Sequence, residues 1–200
     1  AIGNLDVDEE LEIIFTGYSS NNKLFVINSD GSDVDGFPYE IGEKVKSGVA
    51  LADFNGNGKD DIVVGTDDSR VYLIYDDGSL ADGFPYLVAD AIQTAPSVLD
   101  IIDDKIIFVG TGAVFGIGQN NNFYAINSDG NLRFTVEANK DIKTSPSFLT
   151  YNGKHYIFFG ANDSLIYAVD TNGDALSGWP VNAGAPISKS IVFSDLDCDG

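Results

Sequence analysis

Oxygen donors recur along this chain at a spacing that suits a hard cation. Asp53, Asn55 and Asn57 alternate with other residues, Gly58 follows, and Asp61 closes the run inside LADFNGNGKDDIVVGT. Calcium takes about six to eight oxygens at roughly 2.3–2.6 Å, from carboxylates, amide carbonyls and backbone carbonyls. Side chains at loop positions 1, 3 and 5 converge when the backbone curls tightly, and Gly58 at position 6 permits that curl. The backbone carbonyl of Lys59 at position 7 and the carboxylate of Asp61 at position 9 then complete the shell. An EF-hand would need Glu at position 12 and flanking helices. Position 12 here is Val64, inside the β-prone run Ile62-Val63-Val64. The expectation is a calcium loop set in a β-hairpin.

The same spacing occurs twice more. Asn4, Asp6, Asp8 and Glu12 fall at positions 1, 3, 5 and 9, with the Glu10 carbonyl at position 7 and Glu9 where glycine stood before. Asp195, Asp197 and Asp199 supply positions 1, 3 and 5 of a half-loop that ends at Gly200. The first loop brings three carboxylates and the second two. Both are expected to be weak calcium sites, with dissociation constants on the order of 10⁻⁴–10⁻³ M.

Other chemistry has little to stand on. His155 is the single histidine, which leaves no His-rich metal centre, and no G-x-S-x-G elbow is present. Cys198 is alone, so no intrachain disulfide forms. The glycines of GTGAVFGIGQNNN match neither a dinucleotide fingerprint nor a Walker loop and read as the tip of a long hairpin. Carboxylates are abundant enough that a glycosidase-type pair is always imaginable, which makes their abundance weak evidence for one. No catalytic residue and no organic cofactor is assigned.

The elements that position these loops repeat. Loop-start positions recur at Asn4, Asp53, Asp100, Thr150 and Asp195, in steps of 49, 47, 50 and 45 residues. After each comes an apolar strand, a turn, an alternating aromatic strand such as RVYLIY, a glycine turn and a further segment. Seven residues after Asp30, Asp77 and Asn172 stand Phe37, Phe84 and Trp179, the first two in Gly-Phe-Pro-Tyr and the last in Gly-Trp-Pro. An aromatic at the same phase of three of the four repeats is expected to wedge between neighbouring repeats. The third repeat shortens the loop to DIIDDKI and the fourth replaces it with Tyr151-Asn152-Gly153-Lys154, a hairpin turn. Repeats therefore begin near residues 1, 50, 97 and 147, with a partial one from 191. About 48 residues and four short strands per repeat predict an all-β propeller built of four-stranded antiparallel blades. The whole chain, 1–200, is expected to be a single propeller or a segment of one. The strand and loop at Ile191–Gly200 duplicate those at Ala1–Asp8, which favours a segment of a larger ring.

LADFNGNGKDDIVVGT also resembles the calcium loop of FG-GAP and VCBS-type β-propeller repeats. The integrin α chain is a distant member, with Gly-Ala-Pro where this chain has Gly65-Thr66, so the likeness is to the microbial variant. The resemblance implies a calcium-stabilised, non-catalytic module, extracellular or at the cell surface, that meets a protein or glycan partner. Its runner-up is the accessory or catalytic propeller of a secreted polysaccharide-degrading enzyme. With 31 acidic against 11 basic residues the net charge is −20, which disfavours nucleic acid and gives bound cations a self-repulsion to relieve. No apolar run reaches the 18 residues of a membrane span, so no membrane insertion is expected.

Overall fold

The computed structural model describes residues 1–8, 10–18, 22–102, 104–112 and 121–194. The half-loop residues Asp195, Asp197 and Asp199 lie outside them, as do Glu9, Asp103 and the hairpin tip at 113–120. The described residues form strands and turns without a helix, in four antiparallel sheets of four strands, each laid down in chain order.

Blade 1 comprises β1 (Ile2–Gly3), β2 (Glu12–Thr16), β3 (Lys23–Ile27) and β4 (Tyr39–Glu40). Blade 2 comprises β5 (Ala50–Ala52), β6 (Asp61–Gly65), β7 (Arg70–Ile74) and β8 (Tyr86–Leu87). Blade 3 runs through β9 (Ser97–Ile101), β10 (Asp104–Gly110), β11 (Asn122–Asn127) and β12 (Leu132–Glu137). Blade 4 runs through β13 (Ser147–Tyr151), β14 (Lys154–Gly160), β15 (Leu165–Asp170) and β16 (Val181–Asn182). The expected propeller blades are thus present.

Successive side chains on a strand point to opposite faces, and each inner blade is apolar on both. Ile14, Leu24 and Val26 of blade 1 meet Ile62, Val64, Tyr72 and Ile74 of blade 2. Val63, Val71 and Leu73 on the other face of blade 2 meet Ile107, Val109, Tyr124 and Ile126 of blade 3. Ile106, Phe108, Phe123 and Ala125 of blade 3 meet Ile157, Phe159, Tyr167 and Val169 of blade 4. Burial of both faces explains why β6 is apolar from Ile62 to Gly65 and why β7, expected to alternate, is instead buried from Val71 to Ile74. The wedge aromatics behave as expected: Phe37 is buried between blades 1 and 2, and Phe84 between blades 2 and 3. Trp179 sits edge-on to Phe158, with ring centroids 5.3 Å apart, on the outer side of blade 4.

Beside the wedges, neighbouring blades touch backbone to backbone. A Cβ added to Gly36 would fall 2.2 Å from the Asp77 carbonyl, and one on Gly83 2.4 Å from the Asp129 carbonyl. Both glycines have positive φ. Gly36→Ala is therefore expected to cost several kcal/mol: about 1–2 kcal/mol for the left-handed backbone, and the rest for forcing two blades apart. Gly178 has the same φ but open space around it, so Gly178→Ala should cost only the first part. Equal losses in urea unfolding would show that the blade contact is not tight.

A polar latch joins blades 3 and 4. Asp163 accepts hydrogen bonds from the Tyr167 hydroxyl (2.6 Å), the Leu165 N–H (3.0 Å) and the Asn139 N–H (3.1 Å). Burial alone would raise the Asp163 pKa, but these donors outweigh it and hold the carboxyl below its ordinary value, while burial and Asp163 together raise the Tyr167 phenol. A depressed carboxyl stabilises the fold above its unfolded pKa of about 3.9, and that contribution fades as pH falls through the folded value. Tyr167→Phe should cost about 1.5 kcal/mol at neutral pH. The gap between variant and wild type should narrow as the solution is acidified below pH ~4, as followed by urea midpoints across pH. A gap that stays constant with pH would contradict the latch.

Candidate metal centre

Both complete loops sit in the hairpin between the first two strands of a blade. Pairing places Gly3 opposite Glu12 and Ala52 opposite Asp61, so the two position-9 carboxylates occupy equivalent register positions. Both are fully buried. Each accepts the N–H of the residue at loop position 2: Leu5 to Glu12 Oε2, and Phe54 to Asp61 Oδ2 at 2.7 Å. A buried carboxylate folded back on its own loop is what closes the hairpin.

In the second loop the curl follows the spacing. Asp53 Oδ1 accepts the N–H groups of Gly56 (2.7 Å) and Asn57 (3.1 Å), and Oδ2 accepts that of Gly58 (2.8 Å). Asn55 Oδ1 accepts from Asn57 N–H, and Asn57 Oδ1 from Lys59 N–H. Gly58 has φ +86°, as its place in the loop requires, and Gly56 has φ +77°. Burial pushes the Asp61 carboxyl up to about 6, despite N–H donors from Asp76, Phe54 and Asn55. A cation beside it would offset that cost.

Asp76 is the residue that sequence reasoning missed. It is buried, and it accepts hydrogen bonds from Asn57 Nδ2 (2.7 Å), Asn55 Nδ2 (3.3 Å) and the Lys59 ammonium (2.9 Å). Burial would raise its pKa, but these three partners outweigh that and hold it down, while Asp76 in turn raises Lys59. In sequence Asp76 belongs to the turn Asp76-Asp77-Gly78 that ends β7, far from the loop. Its blade 1 counterpart is Ser29, whose hydroxyl bonds Glu10 Oε2. The only available signal was that shared phase.

The first loop is differently balanced. One donor oxygen each from Asp6, Asp8 and Glu12 lie within 4.8 Å of one another, the one such acidic group among the described residues. Asp6 accepts the Asp8 N–H (2.9 Å) and Asp8 the Glu10 N–H (2.7 Å), so local turns present both carboxylates. Glu12 Oε1 and Asn4 Oδ1 are buried without a hydrogen-bond partner. A buried, unpartnered carboxylate oxygen is costly, and an oxygen-seeking cation satisfies it. The donor set at Asn4, Asp6, Asp8 and Glu12 therefore fits calcium. In the second loop Lys59 already supplies a positive charge to Asp76, and Asp53 is taken up by backbone donors. The loops touch: Asp60 N–H donates to the Asn4 carbonyl (2.7 Å), and Asn4 N–H to Asp60 Oδ2 (3.0 Å). A cavity of about 450 Å³ opens beside them, lined in part by Asp6, Asp33, Asp35, Lys59, Asp76 and Asp77.

Residues 4–64, which span both loops, match the family model of the FG-GAP-like repeat. Over 98 residues, 49% of its length, it is 33% identical to the lambda-carrageenase of Pseudoalteromonas carrageenovora, of which it covers 10%. It superposes on BamB from Moraxella catarrhalis with a TM-score of 0.60 at 14% identity, covering 91% of this chain and 48% of that one. The WD40 domain of Neurospora crassa Pan2 superposes with a TM-score of 0.56 at 13% identity, over 90% and 51%. These likenesses show the β-propeller fold. The chain thus spans a tenth of its carrageenase relative and about half of each propeller.

Proposed function

We propose that this chain is a calcium-stabilised propeller module that works outside the cell or on its surface and binds a glycan or protein partner without transforming it. Glu12 carries the reading: a fully buried carboxylate with one unpartnered oxygen, grouped with Asp6 and Asp8. Asn4, Asp6, Asp8 and Glu12, with the Glu10 carbonyl, would hold the ion in the first loop. Asp53, Asn55, Asn57, Asp61 and the Lys59 carbonyl form the corresponding set in the second, with Asp76 beside it. The proposed ion cross-links two strands and neutralises part of the net charge of −20; no reaction is assigned to it. Weak sites of about 10⁻⁴–10⁻³ M match the free calcium met by extracellular modules. Calorimetric titration with calcium chloride should show binding in that range, lost from the first loop in Glu12→Gln. Identical isotherms for the two proteins would refute the assignment.

The carrageenase match favours a glycan over a protein as the partner and keeps a second reading in view, a propeller within a polysaccharide-degrading enzyme. Retardation of the chain in gels containing lambda-carrageenan, with no new reducing ends released, is the result expected of the binding module. Release of reducing ends, abolished by one carboxylate substitution, would favour the enzyme.

A further inference from the structure

The turn after β7 reaches back into the second loop. Asp76 stands 21, 19 and 15 residues from loop positions 3, 5 and 9, yet it touches all three. Its Oδ1 accepts from Asn55 Nδ2 (3.3 Å) and Asn57 Nδ2 (2.7 Å), and its N–H donates to Asp61 Oδ1 (2.9 Å). Asn55 Nδ2 lies 3.4 Å from the same Asp61 oxygen. The Lys59 ammonium completes the group, 2.9 Å from Asp76 Oδ2. Two amide groups and one ammonium thus converge on two buried carboxylates. A buried carboxylate needs a counter-charge or hydrogen-bond donors, and here one side chain supplies the charge.

The first loop fills the same two places differently. Position 7 there is Glu10, and the turn residue is Ser29, whose hydroxyl donates to Glu10 Oε2. An acid and a hydroxyl stand where the second loop has an ammonium and an acid. The first loop is also the one with an orphan: Glu12 Oε1 is buried without a partner, whereas among the described residues no buried oxygen of Asp53, Asn55, Asn57, Asp61 or Asp76 is. The loop with an internal ammonium is satisfied, and the loop without one is not.

The ammonium also has somewhere to go. The cavity of about 450 Å³ beside Lys59 and Asp76 is lined in part by Asp6, Asp33, Asp35 and Asp77. The Lys59 side chain is 27% exposed and that of Asp76 8%. Lys59 therefore stands on the open side of the pair, and Asp76 keeps both amide donors when it leaves.

We propose that Lys59 sets the calcium affinity of the second loop: its ammonium holds the charge beside Asp76 that an incoming ion must replace, and this rests on calcium being the ligand of these loops. Calcium enters by displacing Lys59 into the acid-lined cavity, and Asp76 then adds a carboxylate to those of Asp53 and Asp61. Binding that must first break a charge-assisted hydrogen bond is weakened by the strength of that bond, which corresponds to about tenfold or more in affinity.

Calorimetric titration with calcium chloride tests this in Glu12→Gln, where binding at the first loop is lost. Adding Lys59→Met should tighten the remaining site about tenfold or more. Lys59→Arg keeps the charge and should leave the site close to the background. Lys46→Met removes a charge paired with Asp67, beyond the far end of β6, and should change the affinity little. Asp76→Asn should abolish the gain from Lys59→Met, because the ion then lacks the carboxylate that the lysine covered. Melting gives a readout of opposite sign. In chelator Lys59→Met should melt below its parent, since Asp76 has lost its counter-charge, and in saturating calcium the deficit should vanish. An affinity unchanged by Lys59→Met, a gain matched by Lys46→Met, or a gain that survives Asp76→Asn would overturn the proposal and leave calcium at the first loop intact. Absence of calcium binding from every protein, the wild type included, would overturn both.

Discussion

Glu12→Ala is expected to remove the calcium dependence of stability at the first loop and to lower the melting temperature in calcium by about 5–10 °C. An ion present at about 100 times its dissociation constant stabilises the native state by roughly 2.7 kcal/mol per site. For a chain of this size each kcal/mol moves the melting temperature by about 2–4 °C. Glu12 is the right residue to remove because it is fully buried, its Oε1 has no partner and its Oε2 holds the Leu5 N–H. Chelation of the wild type should lower the melting temperature by more than this, and chelation of Glu12→Ala should remove only the share due to the second loop. Asp53→Ala should also destabilise, through loss of the hydrogen bonds that curl the second loop, with or without calcium. Superimposable melting curves in calcium and in chelator for the wild type would end the calcium reading.

Phe159→Ala should cost still more, about 3–5 kcal/mol, the range for deleting a buried aromatic ring. Phe159 is fully buried on β14 and is stacked on both sides. The Phe123 ring lies 4.0 Å away at 10° and the Tyr167 ring 4.8 Å away at 0°. Phe123 belongs to blade 3 and Tyr167 to blade 4, so the cavity opens in the interface between them as well as within one sheet. Little collapse is available there, because the β10–β11 and β14–β15 ladders fix the backbones on either side. Urea unfolding measures the loss directly. A cost below about 1 kcal/mol would mean that the third blade interface is not held by this stack.

Much of the fold was legible in the chain because a repeat is tested several times by one sequence. Phe37, Phe84 and Trp179 share a phase, and that phase alone marks them as packing residues; the structure places the first two in successive blade interfaces. The spacing Asp53, Asn55, Asn57, Gly58 likewise predicts a curled loop, since alternate side chains converge and glycine takes the positive φ. Ranking the two loops was not legible. Glycine at position 6 favours the second loop over the first, which has Glu9 there, whereas the buried orphan oxygen belongs to the first. Asp76 and the Lys59 side chain decide that difference, and they meet across the blade from positions 17 residues apart.

Local chemistry by itself therefore determined the strands, the turns, the loop curl and the number of blades, because each depends on residues within a few positions of one another. Only the tertiary structure decided which carboxylates are buried and unpartnered, which are met by an ammonium or a backbone donor, and which blade faces are covered. Those properties arise partly within a blade, as where the Lys59 ammonium meets Asp76, and partly where one blade packs on the next. The partners there lie some 50 residues apart in the chain, and no short-range spacing records whether a given oxygen finds a donor.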